Sequence, residues 1–343
     1  MKPVLESRDV TVLIVNYRGA DDTINCLRSL HDLVEPPGRI IVIDNDSNDG
    51  SVDKIFFAWR EFASPTIVKG KDIETTDMKS RSIILMMPQN GGYAYGNNAG
   101  MRLAFRDSGC KAIWILNNDT IVHQYALKEL CNRYNKHIKP CIIGSTLIYA
   151  DDETKIQATA GSKLFLPLGL TAQLYNNADI NKLDDISQDD VEKKLSDIIG
   201  ASFFIHRDVV KKNYFFKEDF FLYLEETEYC IRATKNGINL LWAKHSLVIH
   251  KEGGSINANN NTNRPVLSDF LMLRNRSCLV KNYLQIMLPI LFMSYIIVSV
   301  KRIFRKQLSR IPLVFIAFFD GISGRMGKPN NILIQKIIKH ENR

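Results

Sequence analysis

The chain predicts an α/β fold in which helices flank a mostly parallel central sheet, with an apolar and basic helical extension at the C-terminus. Three observations carry this. Short apolar runs recur along the first half, too short for buried helices and without alternation, as expected of strands covered on both faces. Each run ends in a loop of acids and amides and is followed by a helical pattern, the order of a doubly wound sheet. From residue 266 onward the composition shifts to long uncharged stretches separated by Lys and Arg.

The elements follow in order. Val10 to Val15 is the first strand, ending in Asn16-Tyr17-Arg18-Gly19. Ile24, Leu27 and Leu30 mark one face of the helix after it, from about Asp21 to Leu33. Pro36-Pro37-Gly38 breaks the chain, and Arg39 to Ile43 is a second strand leading into Asp44-Asn45-Asp46-Ser47-Asn48-Asp49-Gly50. Ser51 is placed to cap a short helix containing Phe56, Phe57 and Trp59. Lys69 to Arg81 reads as a polar surface loop, and Ser82 to Met87 as a strand. A loop with Gly91, Gly92, Gly96 and Gly100 follows and opens a helix to about Asp107. Its glycines let the backbone approach a ligand beside a helix N-terminus, or simply make a turn and a cap.

The central strand is Ala112 to Leu116, ending in Asn117-Asn118-Asp119-Thr120. Carboxylate and amide oxygens at the carboxyl end of such a strand lie where open α/β sheets bind ligands, and Asp119 suits Mg²⁺ or Mn²⁺. The same residues also suit a turn that caps the helix from Gln124 to Lys136. A strand covers Cys141 to Tyr149. Asp151 to Asp197, with few apolar anchors in its later half, reads as a mobile excursion over the sheet or a solvated linker. Ile198 to His206 is a strand. Phe215 to Leu224 is aromatic-rich and leads into Glu225-Glu226 at the start of a helix that Gly237 stops. Leu240 to Trp242 and Leu247 to Ile249 are short strands, the second reaching His250.

The formal net charge of +8 favours anionic partners: nucleotides, nucleic acid or an anionic membrane. No dense basic tract with interleaved aromatics occurs in the first 250 residues, which argues against nucleic acid. The six cysteines are scattered, without a CxxC pair, and fit buried positions in a reducing compartment. MKPVLESRDV has no apolar signal region, so export by that route is not expected. Tyr283 to Val300 carries no charge and is followed by Lys301-Arg302-Ile303-Phe304-Arg305-Lys306. An interfacial helix on an anionic leaflet, a soluble helical subdomain and a membrane span are all compatible with it.

In order, NYRGADDTINCLRSL, VIDNDSNDGS, NGGYAYGNNAG, ILNNDTIV, GASFFIHRDVV, FFLYLEETEYCIRA and VIHKEGGS resemble glycosyltransferase family 2, with its GT-A fold. NGGYAYGNNAG, LMLRNRSCLVKN and DGISGRMGK are similar to its rhamnosyltransferase-like branch. The resemblance implies three regions: 1–125 binding a nucleotide sugar, 126–265 binding the acceptor and carrying catalysis, and 266–343 associating with a membrane. It implies an inverting, metal-dependent hexosyltransferase, moving rhamnose or a similar hexose from a dTDP- or UDP-sugar to a lipid-linked saccharide. The setting would be surface polysaccharide (O-antigen or capsule) synthesis, with the enzyme held peripherally at the cytoplasmic face of the bacterial inner membrane. Asp44, with Asn16, Tyr17 and Asn45, would bind the base. Gly92, Asn97 and Asn117 would line the donor site, and Asp119 and His250 would hold Mg²⁺ or Mn²⁺. Glu226 or Glu225 would be the general base. Two positions depart from the family's usual pattern. Asn117 stands first in the Asp-x-Asp motif, and Glu226 stands where Asp is commoner.

Taken as bare residues, several of these have other readings. Glu225 and Glu226 favour a helix N-terminus electrostatically. Glu228 and Arg232, four apart, suit a surface ion pair, and Trp114 suits the core. A nucleotidyltransferase and a catalytically silent nucleotide-sugar-binding scaffold are the competing functions. Release of free UDP or dTDP rather than pyrophosphate separates transfer from the first, and turnover separates it from the second.

Overall fold

The structure is a computed structural model that describes residues 4–137, 139–251 and 265–329. The expected α/β architecture is observed. Strands β1 (Val10–Asn16), β2 (Arg39–Asp44), β3 (Thr66–Lys69), β4 (Ser82–Met86) and β5 (Ala112–Asn117) form a parallel half in the order β3-β4-β2-β1-β5. Helices α1 (Ala20–His31), α2 (Ser51–Trp59) and α3 (Tyr93–Ala104) make the crossovers. Residues 10–14 of β1 and 112–116 of β5 are all buried, so both faces of the sheet are covered and, Thr11 apart, the runs are apolar. Ile24, Leu27, Ile55 and Trp59 close one face, while Ala99, Met101 and Leu103 close the other.

Beyond β5 the sheet changes direction. β6 (Thr120–Val122), α4 (Ala126–Asn135) and β7 (Cys141–Tyr149) come next in the chain, and the strand after β5 in space is β12 (Ser202–His206), antiparallel to both β5 and β7. The sheet ends with β13 (Asn239–His250), parallel to β7, and with β6, antiparallel to β13. β13 is one strand with a register shift between Ala243 and Leu247, where two short strands were expected.

Asp151 to Asp197 is not an unstructured excursion. β8 (Ile156–Thr159) adds to β7, and β9 (Gly161–Phe165), β10 (Leu170–Gln173) and β11 (Asp197–Ile198) form a small antiparallel sheet. α5 (Gln188–Lys194) completes it, with the Ser187 hydroxyl accepting from the Asp190 N–H as its cap. Leu174, Leu183, Ile186 and Val191 anchor the segment in the core that α3 also covers. The expected strand 198–206 is divided by an irregular stretch at 199–201, and α6 (Arg207–Asn213) follows β12.

α7 (Glu225–Lys235) ends at Gly237, whose φ of 72° permits the helix-terminating turn. The C-terminal region is α8 (Val266–Leu284), α9 (Leu288–Phe304) and α10 (Ile311–Ser323). It has its own core of Phe270, Leu271, Leu291, Tyr295, Val314 and Phe318, which also takes in Phe221 from the turn before α7. The helical run Val266–Phe304 is long and apolar enough, by composition, to cross a membrane.

Candidate active site

β1, β2 and β5 end side by side, because Asn16 pairs with Asp44 and Val15 with Asn117 in the sheet register. Their terminal side chains therefore share one rim. Asn16 is fully buried. Its amide donates to Asp44 Oδ1 at 2.8 Å and to Ser47 Oγ at 3.2 Å, while its Oδ1 accepts from Gly19 N and Thr23 Oγ1. Asp44 also accepts from the Ser47 hydroxyl (2.6 Å) and the Ser47 N–H (3.1 Å). The carboxylate thus builds its own loop as well as facing the rim. Tyr17 is partly exposed, with the Arg18 guanidinium 5.2 Å from its ring centroid.

Asn45 donates to Asn90 Oδ1 and to the Gly92 carbonyl, tying the second strand's loop to the glycine loop. Its Oδ1 is buried without a partner, and so is Asn97 Oδ1, while Asn97 Nδ2 bonds the Tyr93 carbonyl. Buried polar atoms of this kind normally have partners, so two acceptors await a donor beside the glycine loop. Gly92 has φ 92°, and a Cβ there would lie 2.1 Å from the Phe221 carbonyl oxygen. Only glycine fits.

After β5 the chain turns through Asn118, whose amide holds Gly19 O and Thr23 Oγ1. The short β6 then pairs with β13, setting His250 opposite Thr120. His250 Nε2 thereby lies 3.4 Å from Asp119 Oδ1 and 3.4 Å from Asn117 Nδ2. Gln157 Oε1, on β8, is 2.9 Å from His250 Nδ1. Gln157 and Asn117 thus hold the ring by its two nitrogens, with Nε2 facing the Asp119 carboxylate. A carboxylate oxygen and an imidazole nitrogen suit Mn²⁺ or Mg²⁺. Among the described residues no three His, Cys, Asp or Glu side chains converge. An ion at this pair would complete its shell with phosphate and water, as Mg²⁺ commonly does. The chemistry fits a divalent ion carried with a diphosphate. Glu252 to Ser255 of the VIHKEGGS motif lie outside the described residues.

Glu225 and Glu226 open α7 close to Gly200. A Cβ on Gly200 would meet Glu226 Oε1 and Tyr93 Oη, each at 3.0 Å, and the Tyr93 hydroxyl donates to the Gly200 carbonyl at 2.9 Å. The neighbouring Ala201 carbonyl accepts from Asn117 N, so the glutamates and the end of β5 meet across residues 200–201. Glu225 is buried and Glu226 partly exposed, and Oε2 of each lacks a hydrogen-bond partner. Burial pushes Glu226 up to about 7, against backbone hydrogen bonds and with the Asp197 charge adding to the rise. Burial, and then the charge of Glu226, drives Glu225 well above the ordinary carboxylate range. Burial likewise drives Tyr93 up, the charges of Glu226, Glu225 and Asp119 adding to the rise against a hydrogen bond with Asn97. Near neutral pH the pair can hold one proton and release it.

Glu228 is not at the surface as expected. Its carboxylate is fully buried and takes Lys217 Nζ at 2.9 Å, Arg232 Nη2 at 3.2 Å and Tyr283 Oη at 2.6 Å. Burial opposes its charge, but these bonds outweigh burial and hold it below the usual range. It is a structural lock between α7 and α8. Trp114 is core, its indole N–H bonding Ser202 Oγ. Gly50, not Ser51, occupies the N-cap of α2.

Gln157, Tyr93, Gly200 and Asp197 were not singled out from sequence. Asp197 accepts from Thr227 Oγ1 at 2.7 Å and from Ser162 N at 2.9 Å, beside the glutamate pair. Tyr93, inside the glycine loop, and Gly200, which opens the GASFFIHRDVV motif, carried a signal; Gln157 and Asp197 did not.

Comparison with known proteins fits this geometry. The family model described as glycosyl transferase family 2 matches residues 11–213, more than half of the chain. The chain is 23% identical over 333 residues to the low-salt glycan biosynthesis hexosyltransferase Agl10 of Haloferax volcanii, covering 94% of each. It resembles the mannosyltransferase PcManGT of Pyrobaculum calidifontis, solved with GDP-Man and Mn²⁺, at 11% identity and a TM-score of 0.51, over 99% of this chain and 83% of that one. GalNAc-T7, solved with UDP, GalNAc and Mn²⁺, matches at 13% identity and a TM-score of 0.55, over 82% and 48%. At such identities the structural likeness speaks for the fold alone. The sequence match is what assigns the protein, and the chain belongs to glycosyl transferase family 2.

Proposed function

We propose that the protein moves a hexose, rhamnose or one like it, from a dTDP- or UDP-sugar to a lipid-linked saccharide, with inversion at the anomeric carbon, in the synthesis of a surface glycan. The observation that carries this reading is the buried glutamate pair around Gly200, adjoining the Asp119–His250 donor pair at the end of β5. Residues 1–125 hold the donor, 126–265 the acceptor and the catalytic groups, and 266–343 attach to the membrane. Asp44, Asn45, Asn16 and Tyr17 bind the base, with Gly92, Asn97 and Asn117 along the sugar and diphosphate. The hexosyltransferase relative and the GDP-Man and UDP complexes among structural neighbours are in keeping with a nucleotide-sugar donor.

Asp119 and His250 would hold Mg²⁺ or Mn²⁺, which would supply Lewis-acid stabilisation to the diphosphate. Glu226, the more open of the pair, takes the proton from the acceptor hydroxyl while that oxygen attacks the anomeric carbon and the diphosphate departs. Glu225 shares the charge of its neighbour, and Tyr93 fixes the floor of the site through Gly200. No enzyme nucleophile is required, which sets the reaction apart from retaining hydrolysis.

Membrane attachment rests on α9. Ile290, Met293, Ile297 and Val300 are exposed at helical spacing in line with Ile286 just before the helix, and Lys301, Arg305 and Lys306 stand exposed at and just beyond its C-terminal end. This is the pattern of a helix lying in an anionic interface, at the cytoplasmic leaflet of the plasma membrane.

Release of nucleoside diphosphate from UDP-, dTDP- and GDP-sugars with Mn²⁺ tests the reading. One donor should be turned over, and Glu226→Gln and Asp119→Ala should each lose at least about 100-fold in kcat. The rate should climb with pH through about 7 as Glu226 loses its proton. Tight nucleotide binding without turnover, lipid acceptors included, would replace the transferase with a scaffold.

A further inference from the structure

Phe220 to Leu224 leads directly into Glu225, and its backbone is strained. Phe221 has φ 66° and ψ −65°, with the Leu222 N–H donating to the Phe220 carbonyl at 2.9 Å. That is a γ-turn of the rare, positive-φ hand. Tyr223 and Leu224 also have positive φ, at 71° and 65°. Three side-chain-bearing residues in so disfavoured a region persist only where surrounding structure holds them.

The hold comes from α8. Asn275 is fully buried, and its amide nitrogen lies 2.8 Å from the carbonyls of both Leu222 and Tyr223 and 3.1 Å from that of Phe220. Its Oδ1 accepts from Arg274 Nε at 3.1 Å. Arg274 Nη2 donates to the same Phe220 carbonyl at 3.0 Å, and Nη1 to the Gly327 carbonyl at 2.7 Å. On its other side the turn meets the glycine loop. The Tyr93 N–H donates to the Phe221 carbonyl at 2.8 Å, and Gly92 leaves no space for a Cβ there. One strained turn thus joins the donor-side loop, the glutamate pair and the C-terminal helices.

We infer that Asn275, braced by Arg274, is a positioning residue for Glu225 and Glu226, so that the C-terminal helical region completes the active site rather than only attaching it to a surface. This rests on the reading of that pair as the seat of the general base. The two N–H donors of Asn275 are shared among the carbonyls of Phe220, Leu222 and Tyr223, and those carbonyls fix where α7 begins. Without them the turn relaxes toward negative φ, and the glutamates move away from Gly200 and Tyr93.

The experiment uses the full chain with Asn275→Ala and Asn275→Ser, the latter keeping one donor, beside Val280→Ala, which removes buried packing from the same helix. Nucleoside diphosphate affinity should be retained in all three. In Asn275→Ala kcat should fall about 100-fold, the size of a base misplaced by an ångström, with Asn275→Ser between it and wild type. ¹³C-carboxyl titration of selectively labelled glutamate, assigned with Glu225→Gln and Glu226→Gln, reads the placement directly. The pair should titrate nearer the ordinary range in Asn275→Ala and unchanged in Val280→Ala. Unchanged titration in Asn275→Ala, or a rate loss no greater than that of Val280→Ala at equal loss of Tm, overturns the inference. If Glu226→Gln transfers like wild type, the base assignment fails, while the titration still decides whether Asn275 sets the position of the pair.

Discussion

Gln157 and Asn117 bracket the His250 ring, one at each nitrogen, and so orient it. A ligand imidazole held in this way is more basic and better aimed than one free to rotate. Gln157→Leu should therefore weaken Mn²⁺ binding, measured with nucleoside diphosphate present, by about 10- to 100-fold. In metal-free protein the ¹⁵N shifts of His250 should differ between wild type and variant. Identical shifts in wild type and variant would remove Gln157 from the site. Glu225 makes a second prediction. Burial and Glu226 raise its pKa above the usual carboxylate range. Between the ordinary value and the raised one, the folded chain keeps a proton that the unfolded chain has lost, so stability falls as pH rises. Glu225→Gln removes that penalty, and its Tm should gain on wild type as pH rises above the ordinary carboxylate range. A constant difference would show that Glu225 does not titrate there. Asp119, His250, Glu225 and Glu226 were legible because charged or imidazole side chains ended apolar runs. Gln157 was not, since a neutral amide within a four-residue strand has no periodicity or spacing to mark it.

Among the elements, α9 separates two kinds of cation. Arg302 is buried against Asp269 at 2.5 Å and is structural, whereas Lys301, Arg305 and Lys306 face outward. Ile290 and Ile297, both more than half exposed, lie on the outer apolar face. Ile290→Asp with Ile297→Asp should weaken binding to anionic vesicles at least about 10-fold, given ~25 cal/mol per Å² of apolar surface removed from water. Nucleotide affinity should not change. Undiminished sedimentation with vesicles would assign the face to another partner. Long elements were readable here because repetition builds a signal: α1 showed its stripe in Ile24, Leu27 and Leu30. β9, β10 and β11, of five, four and two residues, offered no such repeat, and the segment containing them read as an excursion. Its anchors, Leu174, Leu183, Ile186 and Val191, are spaced by the fold rather than by any single element.

For the molecule as a whole, the parallel half was visible because its crossovers alternate strand and helix along the chain. The reversal at β12 was not, because a strand buried on both faces has the same composition whichever way it runs. The third core, around Phe270 and Tyr295, also took shape only in three dimensions. It grips the turn at Phe221, so a segment that reads as an attachment is continuous with the α/β domain. The thiols have a practical consequence. All six cysteines are buried, and burial raises Cys26 and Cys131 to about 12 and Cys110 to about 11. Thiolate reagents find little to attack in the folded chain. Ile290→Cys or Phe304→Cys would supply the site labelled by a maleimide fluorophore, and quenching from lipids brominated at different depths would then measure whether α9 enters a bilayer and at what depth.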